Sequence, residues 1–242
     1  MDRRRSSTVS VDVLTLRYNN ADRRVEIAVF NRETEPYLGQ LALPGVVLRE
    51  DERLVDAARR AVDTKLGMPL RAQGQLTVFD EPHRDPRGAT LSVAMWGVAD
   101  EPEADKKARG DKKVQAERAQ AQPTPGDEPD AGQRVRWFPL DDLPPLAFDH
   151  NHIIAACRPL LVEKLWRDLS FTRALTGPTF PVSAAVAITR SLTGTSPDRG
   201  NLNRRLASVK GLGVSHRKVV LGRGRPGTLW EWQQATVASP AE

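Results

Sequence analysis

The sequence predicts an α+β protein in two parts: a sandwich of strands around a short helix, then a small unit of helix, turn, helix and basic hairpin. Three observations predict it. Strand patterns surround one amphipathic helix within residues 9–98. Beyond Pro181 two helical stretches, a turn and a Gly/Arg-rich hairpin follow in order. The charge is also segregated: the chain carries +5 at pH 7, and Pro181–Glu242 holds nine Lys/Arg against three Asp/Glu, which leaves the rest nearly neutral. A basic quarter on a neutral body is the electrostatic footprint of a nucleic-acid-binding module.

Taken in order, residues 9–20 form a first strand, with Val11, Val13, Leu14 and Leu16 apolar, ended by the Asn19-Asn20 turn signal. Val25–Phe30 is a second strand, and a loop over 31–40 with Pro36 and Gly39 leads into Leu41-Ala42-Leu43-Pro44-Gly45. Over Arg53–Leu66 the apolar residues Leu54, Ala57, Ala58, Ala61, Val62 and Leu66 recur at helical steps, and Gly67 stands where a C-terminal cap belongs. Strands at Gly74–Asp80 and Thr90–Val98 flank a polar loop over 81–88.

From Glu101 to Gln133 no aromatic residue occurs and Val114 is the one β-branched aliphatic. Such a stretch buries too little apolar surface to order itself, so 101–133 reads as a disordered insertion. It is not a domain boundary, because the strand pattern resumes at Val135–Phe138. Residues 151–169 then form an amphipathic helix. After Pro181 come a helix at Val182–Leu192, a turn at Gly194-Thr195-Ser196-Pro197 and a helix at Asp198–Lys210 closed by Gly211-Leu212-Gly213. Short strands at Val219–Leu221 and Thr228–Trp232 enclose the hairpin. The predicted organisation is residues 1–150, a connecting helix and linker over 151–180, and a basic domain over 181–236.

Composition narrows the function classes. With 242 residues and 39% hydrophobic content the chain supports a real core. A single cysteine, Cys157, excludes an internal disulfide framework. No apolar run reaches membrane-span length, and the start Met1-Asp2-Arg3-Arg4-Arg5 has no hydrophobic stretch behind it, so a cytoplasmic protein without membrane contact is expected.

The most informative stretch runs from Leu43-Pro44-Gly45 to Gly67-Met68. The Nudix box is Gly, five residues, Glu, seven residues, then Arg-Glu-aliphatic-x-Glu-Glu-x-Gly-aliphatic. This sequence matches it at Glu52, Arg60, Val62, Gly67 and Met68, with Val46 at the first Gly. The three metal-binding Glu positions are Ala61, Thr64 and Lys65, on one helical face by their spacing. A pyrophosphohydrolase needs clustered carboxylates to hold hard divalent cations and activate water. With two neutral residues and one cation there, no enzyme activity and no catalytic or metal-ligating residue is expected.

Further motifs accompany the box: Arg84-Asp85-Pro86-Arg87-Gly88, Trp137-Phe138-Pro139-Leu140, Leu146-Ala147-Phe148-Asp149-His150, Asn201-Leu202-Asn203-Arg204-Arg205 and Gly222-Arg223-Gly224-Arg225-Pro226. In this order they make the chain resemble the Nudix-related transcriptional regulators of NAD metabolism, the NrtR family. That resemblance implies a Nudix-like α/β/α sandwich followed by a winged helix-turn-helix domain. It also implies a repressor of NAD biosynthesis or salvage genes that binds a palindromic operator as a homodimer and senses ADP-ribose as an effector, with no cofactor. The chain departs from the family's pattern at Leu41, Val46 and Asn203.

Candidate effector-binding residues are Arg32, Gly45, Arg60, Lys65 and Arg87, with Arg84 beside them. Lys65 and Arg60 either offer positive charge to a diphosphate in place of metal, or are a solvated lysine and an arginine that pins a loop to the helix. Arg32, Arg84 and Arg87 either reach a ligand or are surface arginines. Glu52 is a poor metal site alone and suits a cap or loop salt bridge. His150 is expected as a hydrogen-bonded junction residue. Candidate DNA-binding residues are Asn201, Asn203, Arg204, Arg205, Arg217, Lys218, Arg223 and Arg225. Base contact is expected from Asn201, Asn203 or Arg204, phosphate contact from Arg205, Arg217 and Lys218, and minor-groove entry from Arg223 or Arg225. The competing reading is a Nudix hydrolase acting as an ADP-ribose pyrophosphatase through other carboxylates such as Glu50, Asp51, Glu52 and Asp63.

Overall fold

The computed structural model describes residues 7–99, 135–215 and 228–233. Its centre is β1 (Thr8–Asn19), which is unusual for a strand in being almost wholly buried. The cause is a helix layer on each face, so the polar positions of its alternating pattern, Asp12, Thr15 and Arg17, are buried along with the apolar ones. Val11 and Val13 face one core, while Leu14 and Leu16 face the other. β1 pairs antiparallel with β2 (Arg24–Asn31) and β4 (Gly45–Val47) and parallel with β6 (Thr90–Ala99). β3 (Leu41–Ala42) and β7 (Val135–Pro139) pair with β2, and β5 (Leu70–Phe79) forms the far edge against β6.

On the first face lies α1 (Leu54–Leu66), which buries Ala57, Ala58, Ala61, Val62 and Leu66. Burying Val62 and Leu66 contributes about 1.5–3 kcal/mol each before entropy costs. Gly67 ends the helix in the left-handed region at φ 64°, as its placement predicts. The second face carries α2 (His150–Lys164), α3 (Leu169–Thr176) and α4 (Val182–Thr193) in one continuous apolar core with β1, β2 and β6. The helix expected over 151–169 ends earlier, at Lys164, and a second helix begins at Leu169. The chain breaks after Lys164 because Trp166 adopts φ 66° and drops its ring into the core, and Asp168 then caps α3.

The C-terminal unit comprises α4, α5 (Arg199–Ala207) and an antiparallel sheet of β8 (Thr179–Pro181), β10 (Leu229–Trp232) and β9 (Leu212–Val214). Gly194 closes α4 at φ 77°, and the Asp198 side chain caps α5 by accepting from Asn201 N at 2.8 Å. The stretch read as a helix terminator, Gly211-Leu212-Gly213, instead supplies β9. The expected strand at Val219–Leu221 and the insertion 101–133 lie outside the described residues. This unit docks directly on the sandwich. Val25 N donates to Ser191 Oγ at 3.0 Å, and the Arg158 guanidinium donates to the carbonyls of Leu192 at 2.8 Å and Ser191 at 2.9 Å.

Candidate functional site

One cleft gathers most of the expected effector residues. It lies where the end of β2, the start of β4, the last turn of α1 and the loop after β5 meet the start of α2. Arg32, Gly45, Lys65 and Arg87 all line it, and so does Arg84. Four cationic side chains thus face two carboxylates, Asp12 and Asp85. Net positive charge in a partly desolvated cleft fits an anionic ligand.

The cations differ in how far they are committed. Arg84 is buried, with Nε and Nη2 donating to Asp149 at 3.0 and 2.8 Å and Nη2 lying 3.5 Å from Asp12. Arg87 grips Asp85 by the same fork geometry, with Nη2 2.7 Å from Oδ2. Arg32 instead donates to the backbone carbonyls of Pro36 at 2.8 Å and Thr34 at 3.2 Å. Burial and the neighbouring Arg87 lower the Arg32 pKa, the mark of a cation held without full compensation. Lys65 has no carboxylate in ion-pair reach among the described residues, and its Nζ lies 5.4 Å from the Phe30 ring centroid.

Phe148 stands in the middle of this group. The Arg32 guanidinium lies 4.7 Å and that of Arg87 5.6 Å from its ring centroid, within cation–π range. Tyr37 meets the same ring edge-on at 4.7 Å. Phe148 has φ 56°, a conformation that costs a bulky L-residue about 1–2 kcal/mol and is sustained here by its surroundings. The sequence offered it only as part of a junction motif; no periodicity marks a left-handed Phe.

Beneath the cations is a buried polar floor. Asp12 accepts from Ser92 Oγ at 2.5 Å and faces His150 Nε2 at 3.7 Å. Leu43 N donates to His150 Nδ1 at 3.0 Å, which fixes the neutral ring's proton on Nε2, toward Asp12. Burial holds His150 below its ordinary pKa, and the bond from Leu43 N makes it a hydrogen-bonded residue where β3 meets α2. Gly45 acts here by lacking a side chain: a Cβ would collide with the Asp12 carboxylate and sit 3.0 Å from the Val11 carbonyl.

Arg60 does not line the cleft. Its Nε and Nη2 donate to the two oxygens of Glu52 at 2.8 and 2.7 Å, and Nη2 also donates to Val47 O at 2.9 Å. The hydrogen bond from Arg60 is the main cause that brings the Glu52 carboxyl down to about 2. The box positions also diverge: Ala61 is fully buried, Thr64 is exposed and Lys65 stands at the rim. This donor set does not fit a divalent cation. Among the described residues no three His, Cys, Asp or Glu side chains come together in a way that would hold one.

Of the expected DNA-binding residues, Asn201 and Arg204 are exposed on α5, with Arg204 Nη2 donating to Asn201 Oδ1. Arg205 is exposed but donates to Leu165 O at 3.2 Å, and Asn203 is half-buried beside the first hairpin. Arg217, Lys218, Arg223 and Arg225 lie outside the described residues.

No family model matches the chain. Over 129 residues it is 30% identical to the ADP-ribose pyrophosphatase of Methanocaldococcus jannaschii, a match covering 53% of this chain and 63% of that protein. The chain thus spans less than two thirds of that relative's length. Among solved structures, Shewanella oneidensis NrtR complexed with a 27mer DNA superposes with a TM-score of 0.67 at 23% identity, covering 93% of each chain. A MutT/nudix family protein from Enterococcus faecalis gives 0.67 at 20% identity, covering 96% of this chain and 90% of the other. The chain has the mixed α+β fold of these proteins along nearly its whole length. Among the described residues no helix is long and apolar enough to cross a membrane.

Proposed function

We propose that this chain is a Nudix-related transcriptional regulator of the NrtR type, which binds ADP-ribose without cleaving it and controls DNA binding by its C-terminal unit. The observation that carries the reading is the cleft itself. Arg32, Arg84, Arg87 and Lys65 line one cleft where box positions Thr64 and Lys65 supply no carboxylate. A diphosphate there is neutralised by fixed cations, while among the described residues no cluster of three His, Cys, Asp or Glu side chains offers to hold catalytic metal. ADP-ribose is supported as the ligand by the pyrophosphatase relative that bears its name.

DNA binding is supported by the exposed Asn201 and Arg204 on α5, the second of two helices joined by a short turn beside an antiparallel sheet, in winged-helix order. It is supported also by fold likeness to a protein solved on DNA. In this reading the protein is a homodimeric repressor of NAD biosynthesis or salvage genes acting at a palindromic operator. ADP-ribose favours the dimer geometry whose two recognition helices no longer match the half-sites, provided it binds that state more tightly. Titration of operator duplex with and without ADP-ribose tests it: binding without ligand and release with it are expected, and indifference to any duplex contradicts it.

The second reading, an ADP-ribose pyrophosphatase, has the 30% identity in its favour. It requires carboxylates at the diphosphate, and Glu52 is held in both oxygens by Arg60. Phosphate-coupled turnover with magnesium separates the two.

A further inference from the structure

Beside α5 lies a second cleft, of 750 Å³, between the sandwich and the C-terminal unit. Tyr18 at the end of β1 and Asn20 and Arg23 of the β1–β2 turn form one wall; Ser183 of α4 and Arg199 and Asn203, one turn apart on α5, form the other. No carboxylate is among its described lining residues. The acids nearby are engaged elsewhere. Asp22 accepts from Asn19 at 2.8 Å and from Arg24 at 3.4 Å, and Asp198 caps α5. Arg23 and Arg199 are exposed and, among the described residues, have no ion-pair partner. Asn203 Oδ1 is buried without a hydrogen-bond partner among the described residues.

We propose that this cleft takes backbone phosphates of the bound duplex, so that the sandwich itself grips DNA through Arg23, next to Arg199 on α5. The inference rests on the reading of α5 as the element that enters the major groove. A helix seated there has a phosphate backbone along each flank. α5 has cations on both flanks: Arg23 and Arg199 on one, and Arg167, Arg205 and Lys210, which line a separate groove, on the other. A site for a small free anion would explain the first flank but not the second. Arg23 sits at φ 53° in the turn, which points to Asn as the substitution that keeps the backbone.

The test uses the full chain, with fluorescence anisotropy on operator and on a scrambled duplex over a salt series. Arg23→Asn and Arg199→Gln should each reduce the slope of log K against log salt by about 0.9, because each removes one phosphate contact. The loss should be equal on both duplexes, with melting temperature and ADP-ribose affinity unchanged. Wild-type slopes in both variants, with DNA binding intact, overturn this proposal and leave the proposed function standing. Pyrophosphate binding that Arg23→Asn abolishes, with no change in slope, also overturns it and makes the cleft a small-anion site. A wild-type chain that binds neither duplex removes the proposed function, and this proposal with it.

Discussion

Arg60 holds Glu52 by both carboxylate oxygens, at 2.8 and 2.7 Å, so the one box carboxylate that this chain retains clamps the loop before α1 to the helix. At these two positions the motif serves as architecture. Ala61, at the first of the three Glu positions, belongs to the core between α1 and the sheet.

Rebuilding the box should therefore fail position by position. Ala61→Glu places a carboxylate in a fully buried site and should destabilise the fold by about 2 kcal/mol or more, read as a lowered urea midpoint. Lys65→Glu, at the rim, should leave the midpoint within about 0.5 kcal/mol. It should weaken ADP-ribose binding by about tenfold or more, since reversing one close charge is worth at least about 1.4 kcal/mol. Unchanged affinity without added metal would remove Lys65 from the site.

Gly45 is required by the close approach of Asp12. Gly45→Ala should cost about 1–3 kcal/mol, because the new methyl meets the Asp12 carboxylate and the Val11 carbonyl. In a double-mutant cycle with Asp12→Ser, part of that cost should disappear, and strictly additive losses would contradict the assigned clash.

His150 sets an acid limit on stability. Burial lowers its pKa from 6.5, so above 6.5 the imidazole is neutral in both folded and unfolded chains and makes no pH-dependent contribution. As pH falls below 6.5 the unfolded chain takes the proton first, and stability falls until the folded value is passed. The urea midpoint should decline on acidification through this window, and the decline should shrink in His150→Gln. Equal pH profiles for the two proteins would contradict the assignment.

Arg158 is one of the joins between the sandwich and the C-terminal unit. It begins on α2, the helix that His150 opens in the cleft, and ends on the last carbonyls of α4. Arg158→Met should cost about 1–2 kcal/mol through those two hydrogen bonds. ADP-ribose affinity should persist while its effect on DNA affinity shrinks. An undiminished effect would mean that coupling runs by another route, such as the Val25–Ser191 hydrogen bond.

Much of the fold was legible because its signals are local. The helical spacing of Leu54 to Leu66 and the glycine behind it place α1 within one residue, and the β-branched run at 9–20 places β1. That Arg32, Gly45, Lys65 and Arg87 belong together was also legible, Gly45 and Lys65 from the box, Arg32 from the family resemblance and Arg87 from its Pro-bearing loop, and the four line one cleft. What was not legible depends on distant partners. Asp12 reads as an ordinary polar strand residue, but Ser92, Arg84 and His150 bury it. Arg60 has the same local signature whether it faces a diphosphate or Glu52. The break at Trp166 carries no glycine or proline to announce a left-handed residue, and β9 is too short to show an alternating pattern. Arg23 stands in a turn whose importance arises only from the helix folded against it.

The most direct test is calorimetric titration of the purified chain with ADP-ribose, first with chelator and then with magnesium, with the recovered nucleotide identified afterwards. Saturable binding that needs no metal, with ADP-ribose recovered intact, is the predicted result. Metal-dependent heat of turnover and release of AMP would contradict it.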